Sequence, residues 1–572
     1  MILQALNSYY GRLADHGRGR IPPYGFSTAN IHFALLLDTK GHLVKRPHDL
    51  RDTQGKKPIP KRIIVPREVV RTSGPRANFL WDKTAYVLGV DKKGKPKQCE
   101  KKFQLFADLQ KELAGLCDDE GLQAVLRFLE EWNPTVAMSW DNWDDIADSN
   151  LVFRLENERN YIHKRPKVKA AWVEYYKGRD ALDPAFCLVT GRRAPIRRLH
   201  NPIRGVWQAQ TSGAGIVSFN DPAFCSYGHD INREKGTSIL NAPVCSQAEF
   251  AYVTVLNHLL RRDSRQKVQI GDATTVFWAE RASPVEGFLG MVFDPRDDGG
   301  DLKEVRLYLE AIRDGKTLPD IDNDVRFYIL GLSPNASRLS VRFWHVSTVG
   351  DVGDRIGQHF KDLAIVRSFD TDPEFPSIWQ LLRQTAVQGK TDNIPHVLAG
   401  EVMRSILTGA PYPRSLLSSI IIRIRADQTI NYLRAAIIKA CLVRQWRITK
   451  QGKEIGMVLD PQNADIAYVL GRLFAVLERA QKDAVPGANT TIKDRFFGAA
   501  SSTPRTVFPQ LMRLAQHHID KAEFGHVRDK EIEQIMDKIV VFPAHLSLDD
   551  QGLFAIGYYH QRADFFKKVT DK

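Results

Sequence analysis

The apolar period of this chain changes near residue 355, and that change restricts the fold more than any single motif. Before it, Ile31, Phe33, Leu35 and Leu37 alternate, as do Val325, Phe327 and Ile329, then Leu339, Val341 and Phe343. A period of two belongs to half-buried strands. Asp38-Thr-Lys-Gly41 turns the first strand into Leu43-Val44, and Ser333-Pro-Asn-Ala-Ser337 joins the other two, so both sites are read as hairpins. After residue 355 the period is helical: Ile466, Val469, Leu470, Leu473, Phe474 and Leu477 form one stripe. Thr503 with Pro504 caps the next helix, with Phe508, Leu511, Met512, Ala515 and Ile519 inward. Ser547 with Asp549 and Asp550 opens the last helix, with Leu553 and Ile556 inward. The expected class is α+β: an N-terminal mixed α/β domain over 1–350 with β-hairpins, a helical connecting region over 351–456, and an all-α C-terminal bundle over 457–572. A length of 572 residues exceeds what one core supports.

Charge is distributed as unevenly as the period. The net charge is +14, yet residues 1–105 hold 21 Lys/Arg against 8 Asp/Glu, whereas 457–572 holds 15 of each. A localised basic head implies an anionic partner, most simply nucleic acid. Within it, residues 45–62 and 91–102 carry Lys56, Lys57, Lys61, Arg62 and a run of lysines, and are expected as exposed loops. A second basic stretch, Arg154 to Arg204, interleaves Tyr161, Trp172, Tyr175 and Tyr176. Such a pattern suits a backbone-tracking groove with stacking platforms, or equally a solvated face whose aromatics point inward.

Six scattered cysteines form neither a disulfide framework nor a zinc-ligand spacing. The first ten residues suggest a short amphipathic helix without a signal-peptide core, and the longest apolar runs fall short of the roughly 20 residues of a membrane span. A soluble, cytoplasmic protein without membrane contact is expected. Phosphate-loop, HExxH and GxSxG motifs are missing. The two His-Asp steps, His48-Asp49 and His229-Asp230, lack companions for a metal site and are expected as structural pairs. No metal, cofactor or catalytic residue is assigned.

Four blocks carry a family resemblance: Ser73-Gly-Pro-Arg-Ala-Asn78-Phe-Leu-Trp-Asp82-Lys83 through Gly89; Val189-Thr-Gly191, His200-Asn-Pro-Ile203, Gln210-Thr-Ser-Gly-Ala-Gly215 through Asn220, Ser226-Tyr-Gly228 and Asn241-Ala-Pro243; Leu330-Gly-Leu-Ser-Pro-Asn through Trp344; and Pro411-Tyr-Pro-Arg414 with Gly471-Arg-Leu-Phe474 and Ala499 to Pro504. In that order, and over essentially the whole chain, they resemble the Csd-type large subunit of the type I-C CRISPR surveillance complex (Cascade). The resemblance implies a non-catalytic binding subunit that reads the protospacer-adjacent motif in double-stranded DNA, helps unwind the target and stabilises the R-loop, while the guide RNA reads sequence. It also implies guide RNA, other Cascade backbone and small subunits, and a helicase-nuclease effector as partners. The C-terminal helices resemble the Cascade small subunit, and Met457 is the candidate internal start for its separate production.

Duplex recognition needs cations for phosphates and small polar groups for base edges. Ser73 and Gly74 allow close backbone approach, Asn78 both donates and accepts, and Arg71, Arg76 and Lys83 are placed for phosphates or a minor groove. Asn78 capping a turn, with Phe79, Leu80 and Tyr86 in the core, is the structural alternative. Gln210 and Ser212 belong to a second candidate, a glycine-rich turn exposing N–H groups, or a tight turn before a buried strand Ile216–Phe219. Arg338 and Arg342 face RNA, a neighbouring subunit or ion-pair partners. The rival reading is a metal-dependent nuclease using Asp82, Asp91 and Glu100, which would have to converge on the metals. A self-sufficient sequence-specific DNA-binding protein is a further rival, but no recognition helix is evident.

Overall fold

The protein is described by a computed structural model covering residues 1–16, 21–52, 58–69, 71, 74–93, 95–178, 181–219, 221–226, 240–293, 307, 310–311, 322–390 and 393–566. It divides into two units. Met1–Gly205, Gln210–Arg261 and Ala336–Leu339 form the first; Val206–Ala209, Arg262–Asn335 and Ser340–Lys572 form the second.

The first unit contains β1 (Phe26–Ile31), β2 (Phe33–Leu37), β3 (His48–Asp49), β4 (Lys61–Pro66), β5 (Trp81–Lys83), β6 (Asn150–Leu155), β7 (Ala181–Phe186) and β8 (Arg193–Arg197). Its main sheet has the order β3-β2-β6-β5, with β2 and β6 parallel, while β1 pairs with β4 and β7 with β8. The alternation in β2 explains its central place. Phe33, Leu35 and Leu37 face a core with Phe106, Phe128, Phe153 and Trp172, and Ala34 faces a smaller one with Ile31, Ile63, Val65, Trp81 and Val152. Both faces are covered, so β2 tolerates the parallel neighbour that hairpins avoid. The expected β2 hairpin reduces to one bridge, Leu37 to Leu43, because β3 and β6 take the strand's edges.

A four-stranded sheet ordered β12-β11-β10-β9 is built from β9 (Lys267–Ile270), β10 (Ala273–Ala279), β11 (Arg326–Asn335) and β12 (Arg338–Thr348), all in the second unit except Arg338 and Leu339. The hairpin expected around Ser333–Ser337 is present, but the strand runs on to Asn335, and Ala336 takes the left-handed conformation (φ 51) that tightens the turn. After β12 the described chain is helices and connections from Val349 onward, and one core joins Phe360, Leu417, Ile438, Leu442, Phe474 and Phe554 without a break at residue 457.

Helices Ile466–Ala484 and Leu548–Asp564 cross backbone to backbone. A Cβ on Gly471 would lie 2.0 Å from the Phe554 carbonyl oxygen, and one on Gly557 would lie 2.1 Å from that of Tyr468. Glycine at both positions is what permits the approach. Ser547 and Asp550 form a complete capping box. Thr503 behaves differently from expectation: its hydroxyl donates to the Ala499 carbonyl at 3.2 Å, and Pro504 alone marks the helix start. Among the described residues, no helix is long and apolar enough to cross a membrane.

Candidate nucleic-acid interface

Between β4 and β5 the chain forms a loop organised by one carboxylate. Asp82, 1% exposed, accepts the Arg71 guanidinium and, at 2.9 Å, the Asn78 N–H through Oδ2. Its Oδ1 accepts the Lys83 N–H at 2.8 Å. Arg71 also donates from Nε to the Arg76 carbonyl at 2.8 Å and stands 4.2 Å over the Tyr86 ring. Burial pushes the Asp82 carboxyl above the usual carboxylate range, while the Arg71 charge and the two N–H groups oppose that shift.

The base of the loop is held by equally local contacts. Leu80 adopts a left-handed φ of 57°, and its N–H is held by Gln110 Oε1 at 2.9 Å. Phe79 stacks on Trp172, with centroids 5.4 Å apart and planes 11° apart. The Asn78 side chain, 4% exposed, accepts the Val69 N–H at 2.9 Å. Its carboxamide oxygen therefore serves the loop interior, the turn-closing alternative read from sequence. What points outward is Gly74, Pro75 and Arg76, all exposed. Gly74 has φ +115° and no atom within 4 Å of a Cβ position, so its backbone faces open space in a conformation that glycine alone adopts freely.

The second candidate segment joins the first. The Gly213 N–H closes a turn on the Gln210 carbonyl at 2.9 Å, with Gln210, Thr211 and Ser212 exposed. Arg204 donates to the Ser212 carbonyl at 3.3 Å and pairs with Glu68 at 2.7 Å, on the strap that leads from β4 into the loop. Sequence reasoning singled out neither Arg204 nor Glu68, because a pair 136 residues apart leaves no local signal. The expected strand Ile216–Phe219 is absent; Ile216 and Val217 form a bend, Ser218 and Phe219 are irregular, and all four are half-buried.

Lys83, Lys61 and Arg62 are exposed, the last two on β4. Lys56, Lys57, Ser73 and the His229-Asp230 step lie outside the described residues. Residues 91–102 are not all loop: a helix with proline in its first turn runs from Pro96 to Ala114 and fixes Lys97, Lys101 and Lys102 on its surface. Trp172 and Tyr176 are buried, so that pair packs the core instead of offering stacking platforms. On β12, Arg342 pairs with Asp272 at 2.6 Å, and Arg338 lies 4.1 Å over the Phe224 ring. His48-Asp49 forms β3, where Asp49 holds Arg51 at 2.7 Å.

Of the carboxylates of the nuclease reading, Asp82 accepts from Arg71, Asn78 and Lys83, Asp91 accepts the Lys93 N–H at 3.0 Å, and Glu100 is exposed on the helix Pro96–Ala114. Among the described residues, no three His, Cys, Asp or Glu side chains stand together as metal ligands. Comparison with known families matches residues 6–566 to the family described as CRISPR-associated protein (Cas_Csd1). No curated protein matches the chain.

Proposed function

Because the chain belongs to the CRISPR-associated Csd1 family, we propose that it is the large subunit of a type I-C RNA-guided surveillance complex and reads the protospacer-adjacent motif of double-stranded DNA with the 71–83 loop. The observation that carries this reading is the exposed tip Gly74-Pro75-Arg76, held at its base by the ion pair between buried Asp82 and partly exposed Arg71. Preorganisation of that kind lets an exposed arginine meet a groove without a large ordering cost. Arg76 is the base-edge or minor-groove candidate, Lys83 and β4 supply phosphate contacts, and Asn78 and Arg71 position the tip. The Gln210–Ser212 turn, held by Arg204, offers a second exposed contact.

In this reading the subunit is non-catalytic and acts in the cytoplasm. Its partners are target DNA, guide RNA, Cascade backbone and small subunits, and a helicase-nuclease that it helps recruit after supporting R-loop formation. Residues 457–572 serve as a small-subunit-like bundle and are also made alone from Met457. The test is target binding by the reconstituted complex with the flanking bases randomised. A defined flank preference that disappears when this chain is omitted supports the proposal. Guide-dependent binding indifferent to the flank contradicts it, and DNA cleavage by the purified chain, abolished by Asp82→Ala, restores the nuclease reading.

A further inference from the structure

A second cationic cluster of the first unit lies around one tyrosine. Tyr161 follows β6, pairs through its backbone with Arg154 and packs on the small core of Ile31, Ala34, Ile63, Val65, Trp81 and Val152. Its ring stacks on that of His163 at 5.6 Å, with planes 4° apart. His163 is locked by Ile64 of β4, its Nε2 lying 3.0 Å from the carbonyl. Lys164 Nζ stands 5.5 Å from the Tyr161 ring centroid. Arg154 shares the sheet face of Val152, and Lys61 begins β4 on the side of Ile63 and Val65. Three elements thus bring three cations to one tyrosine.

Among the described residues no carboxylate answers them. Lys61, Arg154 and Lys164 make no ion pair or side-chain hydrogen bond with any described residue, and Arg154 Nε is buried without an acceptor. Burial, and then the Lys61 charge, lower the Lys164 ammonium below its ordinary range, which marks the two lysines as interacting neighbours. Like charges collected on a fixed scaffold raise the energy of the empty protein, and a bound polyanion removes that cost. Elsewhere in this unit comparable cations are paired: Arg51 with Asp49, Arg165 with Asp119, and Arg204 with Glu68.

We propose that Lys61, Arg154 and Lys164 around Tyr161 form a seat for the phosphodiester backbone of a nucleic acid, additional to the 71–83 loop and blind to base sequence. The inference rests on the nucleic-acid role proposed above; it uses none of the loop's residues and shares only Lys61, at the start of β4, with the phosphate contacts named there. It predicts a trade that a structural cluster does not make: removing the charge weakens binding and leaves the protein equally or more stable.

The experiment compares the full chain with its Lys61→Gln/Arg154→Gln/Lys164→Gln variant. Probes are a single-stranded RNA, the same sequence as single-stranded DNA, and a duplex carrying or lacking the preferred flank; thermal unfolding is measured alongside. The expected result is a loss of about tenfold or more in affinity at 0.1 M salt, with the log–log salt slope flattened by roughly two to three units. The loss is the same with either flank, and the melting temperature is unchanged or higher. The probe that loses most identifies which strand occupies the seat, and an equal loss on all three marks a general phosphate site. Unchanged affinity and salt slope overturn the proposal. A lowered melting temperature accompanying the binding loss also overturns it, because the cations are then structural. A flank-dependent loss assigns these residues to motif reading instead.

Discussion

Arg71 and Asp82 form a pair in which the carboxylate is 1% exposed and the guanidinium side chain 29% exposed. The buried partner binds three donors, so the pair is the anchor of the loop and Arg71 is committed to it. Asp82→Asn leaves Arg71 without its counter-charge. The expected loss of stability is about 1–3 kcal/mol, below the range for fully buried pairs because Arg71 is partly exposed. Urea unfolding measures this loss, and proteolysis should show first cleavage within 71–82.

Gly471 makes a sharper prediction. Its Cβ would fall 2.0 Å from a backbone oxygen of the facing helix, where no side chain can yield. Gly471→Ala is expected to destabilise the protein by about 1–3 kcal/mol or more, since overpacking displaces both helices. Gly498, also helical, has nothing within 4 Å of its Cβ, so Gly498→Ala is neutral or mildly stabilising. Chemical denaturation of the two variants separates close packing from helix propensity.

The helical C-terminal region is legible in the sequence because a 3.6-residue stripe survives any change of neighbour. Less legible was what the bundle leans on. Gly552 packs against Ile438, Leu442 and Leu417, and the Tyr559 hydroxyl donates to the Val366 carbonyl at 2.6 Å. A separately expressed 457–572 fragment therefore exposes an apolar face of helix Leu548–Asp564. It is expected to bind a hydrophobic dye or self-associate, which light scattering detects; a dye-silent monomer contradicts this packing.

The loop shows the same division. Its residues stand out in sequence, and Gly74 takes a φ of +115° with open space where a Cβ would lie. Asn78 looked equally fit for base edges, because a carboxamide's chemistry does not reveal which way it faces; the Val69 N–H nine residues away decides that. The aromatics after Arg154 were ambiguous for the same reason, and Trp172 turned inward to stack on Phe79. Long-range partners such as Glu68 and Arg204 come from topology, not from local pattern.

Acid should weaken the fold before its carboxylates titrate. Burial holds His163 and His359 down to about 3, and His200 and His560 down to about 4, against an ordinary 6.5. Once pH falls below 6.5, the unfolded chain binds protons that these folded histidines refuse. Stability present above pH 6.5 is therefore lost on acidification, by up to about 1.4 kcal/mol per pH unit for each histidine. Thermal melts between pH 7 and pH 4.5 should show a steady decline, shallower for His163→Gln than for the parent protein.

Flank discrimination by an Arg76→Ala complex tests the central claim most directly. Arg76 is exposed and supports the loop through its backbone, so the substitution leaves the fold intact. Affinities are measured for targets identical except in the flanking bases, with parent and variant complexes side by side. The account predicts that the parent distinguishes the two targets and the variant loses most of that ratio, about tenfold or more for a good base contact. An unchanged ratio with uniformly weaker binding contradicts it and reduces Arg76 to a phosphate contact.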